Sequence, residues 1–240
     1  MVISDQRTFS GFEAVLFDLD ATLVDHVFAS QSALSAALTA TGVGADAGDS
    51  AGAFSLWSAL EAEHFQSYLD GKISFLEQRR RRVRAFLKTF SISDMTDEAV
   101  DAWFKIYLLA YEASWRAFPD VKPCLDWLGS RASVVAVVTN GDAAQQQAKL
   151  NALSLGHLAL FTSSQIGVSK PDPMIFRAAC EAIKVQASRT IYVGDNAIVD
   201  AAGATTAGLL GVWLDRSRPR DLTAQPPRMA TLLDLPHLLT

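Results

Sequence analysis

Residues 14–20 read AVLFDLD, an apolar run that ends in two carboxylates, Asp18 and Asp20. A short continuous apolar run is typical of a strand that is buried on both faces of a parallel sheet. A buried carboxylate without a partner is costly, and two neighbouring carboxylates also repel each other. The stretch therefore predicts a buried strand whose carboxyl end carries a site that compensates these charges.

Two other apolar, β-branched runs, at residues 133–138 and 190–193, resemble this strand. Each is followed by a polar or glycine turn and then by a helical pattern. Weaker strand signals lie at residues 158–161, 212–214 and 229–232. Near-continuous hydrophobic strands that alternate with helices predict an α/β fold, a Rossmann-like parallel sheet covered on both faces. Asp172 before Pro173 predicts the start of one covering helix.

The pattern between residues 25 and 116 is helical throughout. Ser74 followed by Glu77 fits a capping box, and Thr96 precedes an amphipathic run at residues 100–115. We therefore predict two domains: an α/β core formed by residues 1–24 and 117–240, and an inserted all-helical domain formed by residues 25–116.

The composition of the chain limits the classes of binding partner and the cellular location that we expect. The 240 residues carry a formal net charge of −5, which argues against a general affinity for nucleic acid or anionic membranes. Cys124 and Cys180 are far apart and are expected to be reduced. The first 13 residues do not resemble a signal peptide, and no 18-residue apolar run is present. These features predict a cytoplasmic protein, a monomer or a small homo-oligomer.

Polar residues follow the predicted strands at the edge where parallel sheets bind ligands. The candidates are Asp18, Asp20, Thr139, Asn140, Lys170, Asp195 and Asp200. Clustered carboxylates suit Mg²⁺, while a lysine and a hydroxyl group suit the oxygens of a transferring phosphoryl group. One carboxylate could attack phosphorus and the other could transfer protons. The pattern favours phosphoryl transfer on a small phosphorylated substrate with Mg²⁺ as the cofactor.

The segments DLDAT, VVTNG, SKPDP and GDNAIVD occur in the order and rough spacing typical of the haloacid dehalogenase superfamily, and the chain resembles the phosphatases of that superfamily from about residue 13 to residue 208. The resemblance implies that Asp18 is the nucleophile and Asp20 the general acid and base. It implies phosphate binding by Thr139, Asn140 and Lys170. The Mg²⁺ ligands implied are Asp18, Asp195, the backbone carbonyl of Asp20, and Asp200 as a further ligand or support. The helical insert resembles the all-helical cap of that family.

Ala21 departs from the family pattern, which usually has glycine at this position. Glycine is favoured where the backbone needs a positive φ or a close approach. Ala21 therefore indicates either a negative φ or a strain of about 1 kcal/mol. Since the methyl group removes no catalytic atom, we expect an active enzyme.

Three other functions are considered. A phosphomutase related to β-phosphoglucomutase would use the same core residues. A receiver-type signalling module phosphorylated on Asp18 is opposed by the large insert and by Asp20. Dehalogenation is disfavoured, because halide departure needs no acid such as Asp20.

The insert also carries an arginine run, Arg79 to Arg82 with Arg84. Four consecutive helical residues point all round the helix, so they cannot all face one ligand. We expect a solvated face paired with Glu61, Glu63 or Glu77, with contact of one or two arginines with an anionic substrate as the functional alternative.

Overall fold

The computed structural model describes residues 11–43, 50–131 and 133–239. The chain divides into two compact units: the segment His26–Arg116 forms one, and the segments before and after it form the other. Residues 1–10, which include most of the stretch tested for a signal peptide, lie outside the described residues.

The unit formed by the two flanking segments contains a parallel sheet. In the described residues its strands are β1 (Ala14–Phe17), β2 (Val134–Thr139), β3 (Ala159–Thr162), β4 (Thr190–Gly194), β5 (Leu210–Leu214) and β6 (Arg228–Met229). Their order in the sheet is β3-β2-β1-β4-β5-β6, and each neighbouring pair is parallel. The predicted α/β fold with a Rossmann-like parallel sheet is confirmed.

The helices in chain order are α1 (His26–Thr41), α2 (Ser50–Leu69), α3 (Phe75–Lys88), α4 (Asp97–Ala113), α5 (Val121–Ser130), α6 (Ala143–Ala152), α7 (Ser163–Ile166), α8 (Pro173–Ala182) and α9 (Gly203–Ala207). A π-helical turn, Ala197–Ala202, leads into α9, and two 3₁₀ segments occupy Ala187–Arg189 and Leu232–Leu238.

Strand β1 is central, with β2 on one side and β4 on the other. Phe17 is in register with Val137 of β2 and Val193 of β4. The chain runs from β1 outward to β3 and then returns to the opposite side of β1 as β4. This reversal of strand order is the position at which open α/β sheets bind ligands.

The two faces of the sheet pack into separate cores, because successive side chains of a strand point in opposite directions. Val15 and Phe17 lie in one core. Leu16 and Tyr192 lie in the other, together with Phe176 of α8. Both faces are therefore buried, which explains why the strands read as unbroken apolar runs.

The strand predictions are confirmed, with boundary shifts of one or two residues, except at the last strand. The weak signal at residues 229–232 corresponds to the two-residue strand β6 followed by a 3₁₀ segment from Leu232. A capping box ends the strand there: Thr231 accepts a hydrogen bond from the Leu233 N–H, and the Asp234 carboxylate accepts from the backbone of Ala230 and Thr231.

The segment His26–Arg116 is helical, as the sequence predicts. Ser74 begins α3 and accepts a hydrogen bond from the Glu77 N–H at 3.1 Å. Thr96 caps α4 in the same way through the Ala99 N–H. The predicted starts of both helices are confirmed.

Aromatic side chains fill the core of this helical unit. Trp57 is fully buried, with ring centroids 4.7 Å from Tyr107, 5.2 Å from Phe86 and 5.5 Å from Trp103. The guanidinium of Arg82 lies 4.3 Å from the Trp57 ring, in cation–π contact. Trp57 is therefore a core residue of this unit.

The arginine run behaves only partly as a solvated face. Arg81 pairs with Glu77, and Arg80 pairs with Asp101, on the surface of the unit. Arg82 is instead buried, with an exposed fraction of 3%, and its Nη1 lies 2.6 Å from Glu61 Oε1. The prediction of a solvated face is wrong for Arg82, because the aromatic core accepts its guanidinium. The predicted pairing of the run with Glu61 is confirmed.

In the described residues, no helix combines the length and the apolar character needed to cross a membrane.

Replacement of Trp57 by alanine should lower the free energy of unfolding by about 3–5 kcal/mol, because it opens a cavity among three aromatic rings. Urea titration followed by circular dichroism measures this loss. The control is Leu109→Ala on α4, whose side chain is exposed and should change stability by about 0.5 kcal/mol or less. Equal losses in the two variants would contradict the assignment of Trp57 to the core.

Candidate functional site

The site begins where β1 ends. Asp18 directly follows Phe17, and its N–H donates to the Val193 carbonyl at 2.9 Å. This bond continues the strand pairing by one residue and holds Asp18 beside the end of β4. Asp18 follows the alternation of the strand onto the face that carries Leu16 and Tyr192.

A buried lysine connects the functional side chains on that face. Lys170 Nζ donates to Asp18 Oδ1 at 2.5 Å, to Asp200 Oδ1 at 2.7 Å and to the Tyr192 hydroxyl at 2.9 Å. The residues Asp18, Lys170 and Asp200 have exposed fractions of 6%, 4% and 2%. All three donor positions of the ammonium are therefore used inside the protein.

The surrounding backbone supports this cluster. Tyr192 donates its hydroxyl proton to the Val138 carbonyl at 2.7 Å, which leaves its oxygen to accept from Lys170. Asp200 Oδ2 accepts from the Asn196 N–H at 3.0 Å. A Cβ at Gly194 would lie 2.3 Å from Asp200 Cγ, so only glycine fits at the end of β4.

Electrostatics within the cluster oppose full ionisation of its acids. Burial raises the pKa of Asp18 to about 7; Lys170 lowers this pKa, while Asp200 and Asp195 raise it. Burial and the charge of Asp200 also raise the pKa of Asp195. Burial alone would lower the pKa of Lys170. The charges of Asp18 and Asp200 outweigh this effect, so the pKa of Lys170 lies above its ordinary value and the ammonium stays charged. The cluster thus has more carboxylate charge than its one lysine compensates.

Three of the predicted metal ligands come together. Carboxylate oxygens of Asp18, Asp195 and Asp200 lie within 4.8 Å of one another. Oxygen atoms are the ligands that hard divalent cations prefer, and a cation would supply the charge that the cluster lacks. The residues present therefore fit a Mg²⁺-like ion.

The Asp20 side chain belongs to a different arrangement. Lys149 Nζ lies 2.7 Å from both Asp20 oxygens, and Gln146 Nε2 donates to Asp20 Oδ2 at 3.0 Å. Gln146, Lys149 and Tyr192 were not predicted from the sequence as members of the site. The sequence does carry a signal for Gln146 and Lys149. They are three positions apart and so share one face of α6, the helix that follows the candidate Asn140.

Two of the predicted phosphate-binding residues, Thr139 and Asn140, lie at the end of β2. Thr139 is buried, and its hydroxyl accepts from Gln146 Nε2 at 3.1 Å. The Asn140 side chain forms two hydrogen bonds with the backbone of Lys170: Nδ2 donates to the Lys170 carbonyl at 3.1 Å, and Oδ1 accepts from its N–H at 2.8 Å. Asn140 therefore fixes the loop that carries Lys170.

The sequence left two alternatives for Ala21, a negative φ or a strained positive φ, and the structure shows the positive φ. Its φ is +61°, in the left-handed region, and its N–H donates to the Val24 carbonyl at 2.9 Å. A positive φ is unfavourable for alanine, because its methyl group crowds the backbone there.

The Ala21→Gly variant should raise the free energy of unfolding by about 1 kcal/mol, because glycine relieves the left-handed strain. The same substitution at Ala148, an exposed position inside α6, should lower it by about 0.5–1 kcal/mol. Urea denaturation of both variants provides the comparison. Destabilisation in both would show that the positive φ of Ala21 carries no strain.

The raised pKa of Asp18 predicts a pH-dependent stability. Between the ordinary carboxyl pKa of 3.8 and about 7, the folded state keeps a proton that the unfolded state has released. The free energy of unfolding contributed by Asp18 therefore falls as pH rises through this window. In the absence of divalent cations, the stability of the wild type relative to Asp18→Asn should decrease from about pH 5 to about pH 8.

Urea titrations at each pH measure this difference. The matched control is Asp126→Asn, which removes an exposed carboxylate paired with Lys122 and should give a nearly constant difference. A difference that stays constant as pH rises would contradict the prediction, because it would show that Asp18 is already ionised in the folded state throughout the window.

Comparisons with known proteins agree with the motifs. Residues 12–208 match the family model of haloacid dehalogenase-like hydrolases. A phosphoserine phosphatase of Thermus thermophilus is 37% identical over 112 residues, which cover 45% of each chain. An (S)-2-haloacid dehalogenase of a Pseudomonas species is 27% identical over 77% of this chain and 82% of its own. The chain spans about half the length of the first curated relatives it matches.

Solved structures share the fold. The HAD-hydrolase YfnB of Bacillus subtilis, solved bound to magnesium, superposes with a TM-score of 0.80 at 21% identity and covers 96% of this chain and 99% of its own. The family model covers residues 12–208, and this range contains all four motif segments. The chain belongs to the haloacid dehalogenase-like hydrolase family.

Proposed function

We propose that this hydrolase is a Mg²⁺-dependent phosphatase of a small phosphorylated metabolite, of the sugar phosphate or nucleotide class. The observation that supports this most is the cluster at the edge of the sheet, in which Lys170 binds Asp18 and Asp200. Carboxylate oxygens of Asp18, Asp195 and Asp200 lie within 4.8 Å of one another in this cluster. The phosphatases among its relatives support the same reaction.

The proposed reaction has two steps. An Asp18 oxygen attacks phosphorus and forms an aspartyl phosphate, while the ester P–O bond breaks and Asp20 gives a proton to the departing oxygen. Asp20 then takes a proton from water, whose oxygen attacks phosphorus. The bond between Asp18 and phosphorus breaks, and inorganic phosphate is released. Asp18 Oδ2 suits the attack because Lys170 binds the other oxygen, Oδ1.

Charge stabilisation comes from residues that the fold holds rigidly. Lys170, fixed by its three acceptors, compensates the phosphoryl oxygens, and Thr139 donates its hydroxyl proton to them. We propose that Asp18 and Asp195, the backbone carbonyl of Asp20, and Asp200 hold Mg²⁺. The bound ion supplies positive charge that lowers the repulsion between Asp18 and the phosphate.

The presence of Asp20 favours phosphate esters over halides. An alkoxide leaving group needs a proton, whereas a halide does not. The similarity to haloacid dehalogenases is one of fold and partial sequence identity, and function depends on the site. A phosphomutase remains the second enzymatic candidate, because its first step uses the same residues. Membership of a hydrolase family gives no support to the receiver module.

The helical unit His26–Arg116 is proposed to be the cap domain of the family. Caps exclude bulk water and recognise the part of the substrate beyond the phosphate. Its aromatic core and the buried Arg82 give this unit a defined structure of its own.

Phosphate release from a panel of sugar phosphates, nucleotides and small organophosphates tests the proposal. We expect release that needs Mg²⁺ and that falls by about 10³-fold or more in Asp18→Asn, because the nucleophile is removed. The exposed substitution Asp126→Asn should leave the rate unchanged. Analysis of the organic product separates a phosphatase from a mutase, which would return an isomer of the substrate.

Phosphate release that persists in Asp18→Asn would contradict the mechanism. Chloride release from 2-chloropropionate, without phosphate release from any member of the panel, would replace the phosphatase with a dehalogenase.

A further inference from the structure

Two side chains of α6 hold the carboxylate of Asp20, and neither has a role in the reaction proposed above. Lys149 Nζ contacts both carboxylate oxygens at 2.7 Å, and Gln146 Nε2 donates to Oδ2 at 3.0 Å. The exposed fractions of Lys149 and Gln146 are 3% and 2%. The carboxylate is thus held on one side by a buried ammonium and a buried amide.

The neighbours of Gln146 determine which way its amide points. Gln146 Nε2 lies 3.0 Å from Asp20 Oδ2 and 3.3 Å from the Asn140 carbonyl oxygen. A carbonyl oxygen only accepts hydrogen bonds, and so does the carboxylate of an ionised Asp20. The NH₂ group must therefore face them. The same nitrogen lies 3.1 Å from Thr139 Oγ1, so one amide connects Asp20 with a proposed phosphate-binding residue.

The loop after β2 places α6 for these contacts. Asp142 caps the helix by accepting from the Gln145 N–H at 3.0 Å, and Gln146 and Lys149 then share one face. Gly141 has a φ of +137°, and a Cβ there would lie 3.3 Å from Gln146 Nε2. The end of β2, which carries Thr139, and α6, which binds Asp20, therefore pack directly against each other through Gln146.

Stability alone does not account for this pair. Taking a lysine out of water is costly, and buried ion pairs are often no more stabilising than apolar residues of similar volume. What such a pair does provide is a fixed geometry. The two contacts of Lys149 restrict the carboxylate more than one exposed ion pair could.

We propose that Lys149 and Gln146 are positioning residues for Asp20, which fix its carboxylate relative to Thr139 and the end of β2. This inference rests on the proposed phosphatase function, in which Asp20 protonates the leaving oxygen and then, as the ionised carboxylate that Lys149 contacts here, takes a proton from water. Small displacements of a proton-transferring group cost large factors in rate, so the positioning has a measurable consequence.

Leaving-group dependence tests the proposal. Protonation by Asp20 matters for an alkyl phosphate but little for 4-nitrophenyl phosphate, whose phenolate departs readily. In Lys149→Met we expect kcat/KM to fall by about 10–100-fold for the best alkyl phosphate of the panel and by about threefold or less for 4-nitrophenyl phosphate. Lys149→Arg, which keeps the charge, should recover most of the loss.

A double-mutant cycle identifies the route of the effect. In an Asp20→Asn background, Lys149→Met should change kcat/KM for 4-nitrophenyl phosphate and for the alkyl phosphate by about threefold or less, because the residue it positions is already lost. Lys122→Met, which removes an exposed lysine paired with Asp126, serves as the charge-matched control and should behave as the wild type. Gln146→Met provides a second variant with the same expected preference for aryl over alkyl substrates, should Lys149→Met fail to fold.

Two results would overturn the inference while leaving the phosphatase intact. Equal losses for both substrates with a raised KM would show that Lys149 binds the phosphate itself, and a full loss that persists beside Asp20→Asn would show that it acts independently of Asp20. Absence of Asp18-dependent phosphate release from the wild type is a different failure. It would remove the proposed function, and the positioning role with it, before any Lys149 variant is compared.

Discussion

The ion pair between the Lys170 ammonium and the carboxylates of Asp18 and Asp200 is the interaction on which the site depends. It joins the end of β1, the loop before α8 and the π-helical turn after β4, three segments distant in sequence. Burial makes each of these charges costly alone, so each requires the others. The contact also explains two features with no chemistry of their own: the glycine at 194, which leaves room for the Asp200 carboxylate, and the tyrosine at 192, which accepts the third proton of Lys170.

Only Leu19 separates Asp18 from Asp20 in sequence, yet the surroundings of the two carboxylates differ. Asp18 lies among other acids, which together with burial raise its pKa to about 7. Asp20 turns toward α6 and is held by Lys149 and Gln146. Different environments are how two chemically identical groups take different roles in one reaction. The chain turns directly after Asp20, where the Ala21 N–H donates to the Val24 carbonyl.

The family relationship constrains the reaction less than it constrains the fold. Phosphatases and haloacid dehalogenases both occur among the relatives, and the solved structures that superpose well are below 25% identity in several cases. Particular side chains favour the proposed phosphatase: Asp20 as an acid for the leaving group, and three carboxylates that suit a hard cation. In the helical unit, the sequence pattern did not reveal which arginine is buried. The arginine run was predicted as a solvated face, but Arg82 packs against Trp57 in the core.

The sequence by itself determined the parallel sheet, the helical insert and the order of the site residues. Short apolar runs ending in Asp18, Thr139 and Asp195 are local patterns, and strand ends of a parallel sheet meet at one edge whatever the details of packing. Only the tertiary structure decided which charges pair. Nothing in the local pattern shows that Lys170 contacts Asp200, or that Lys149 contacts Asp20 across 129 residues. These pairings depend on the register of β1 between β2 and β4 and on the packing of α6, which arise from the whole core and not from any one segment.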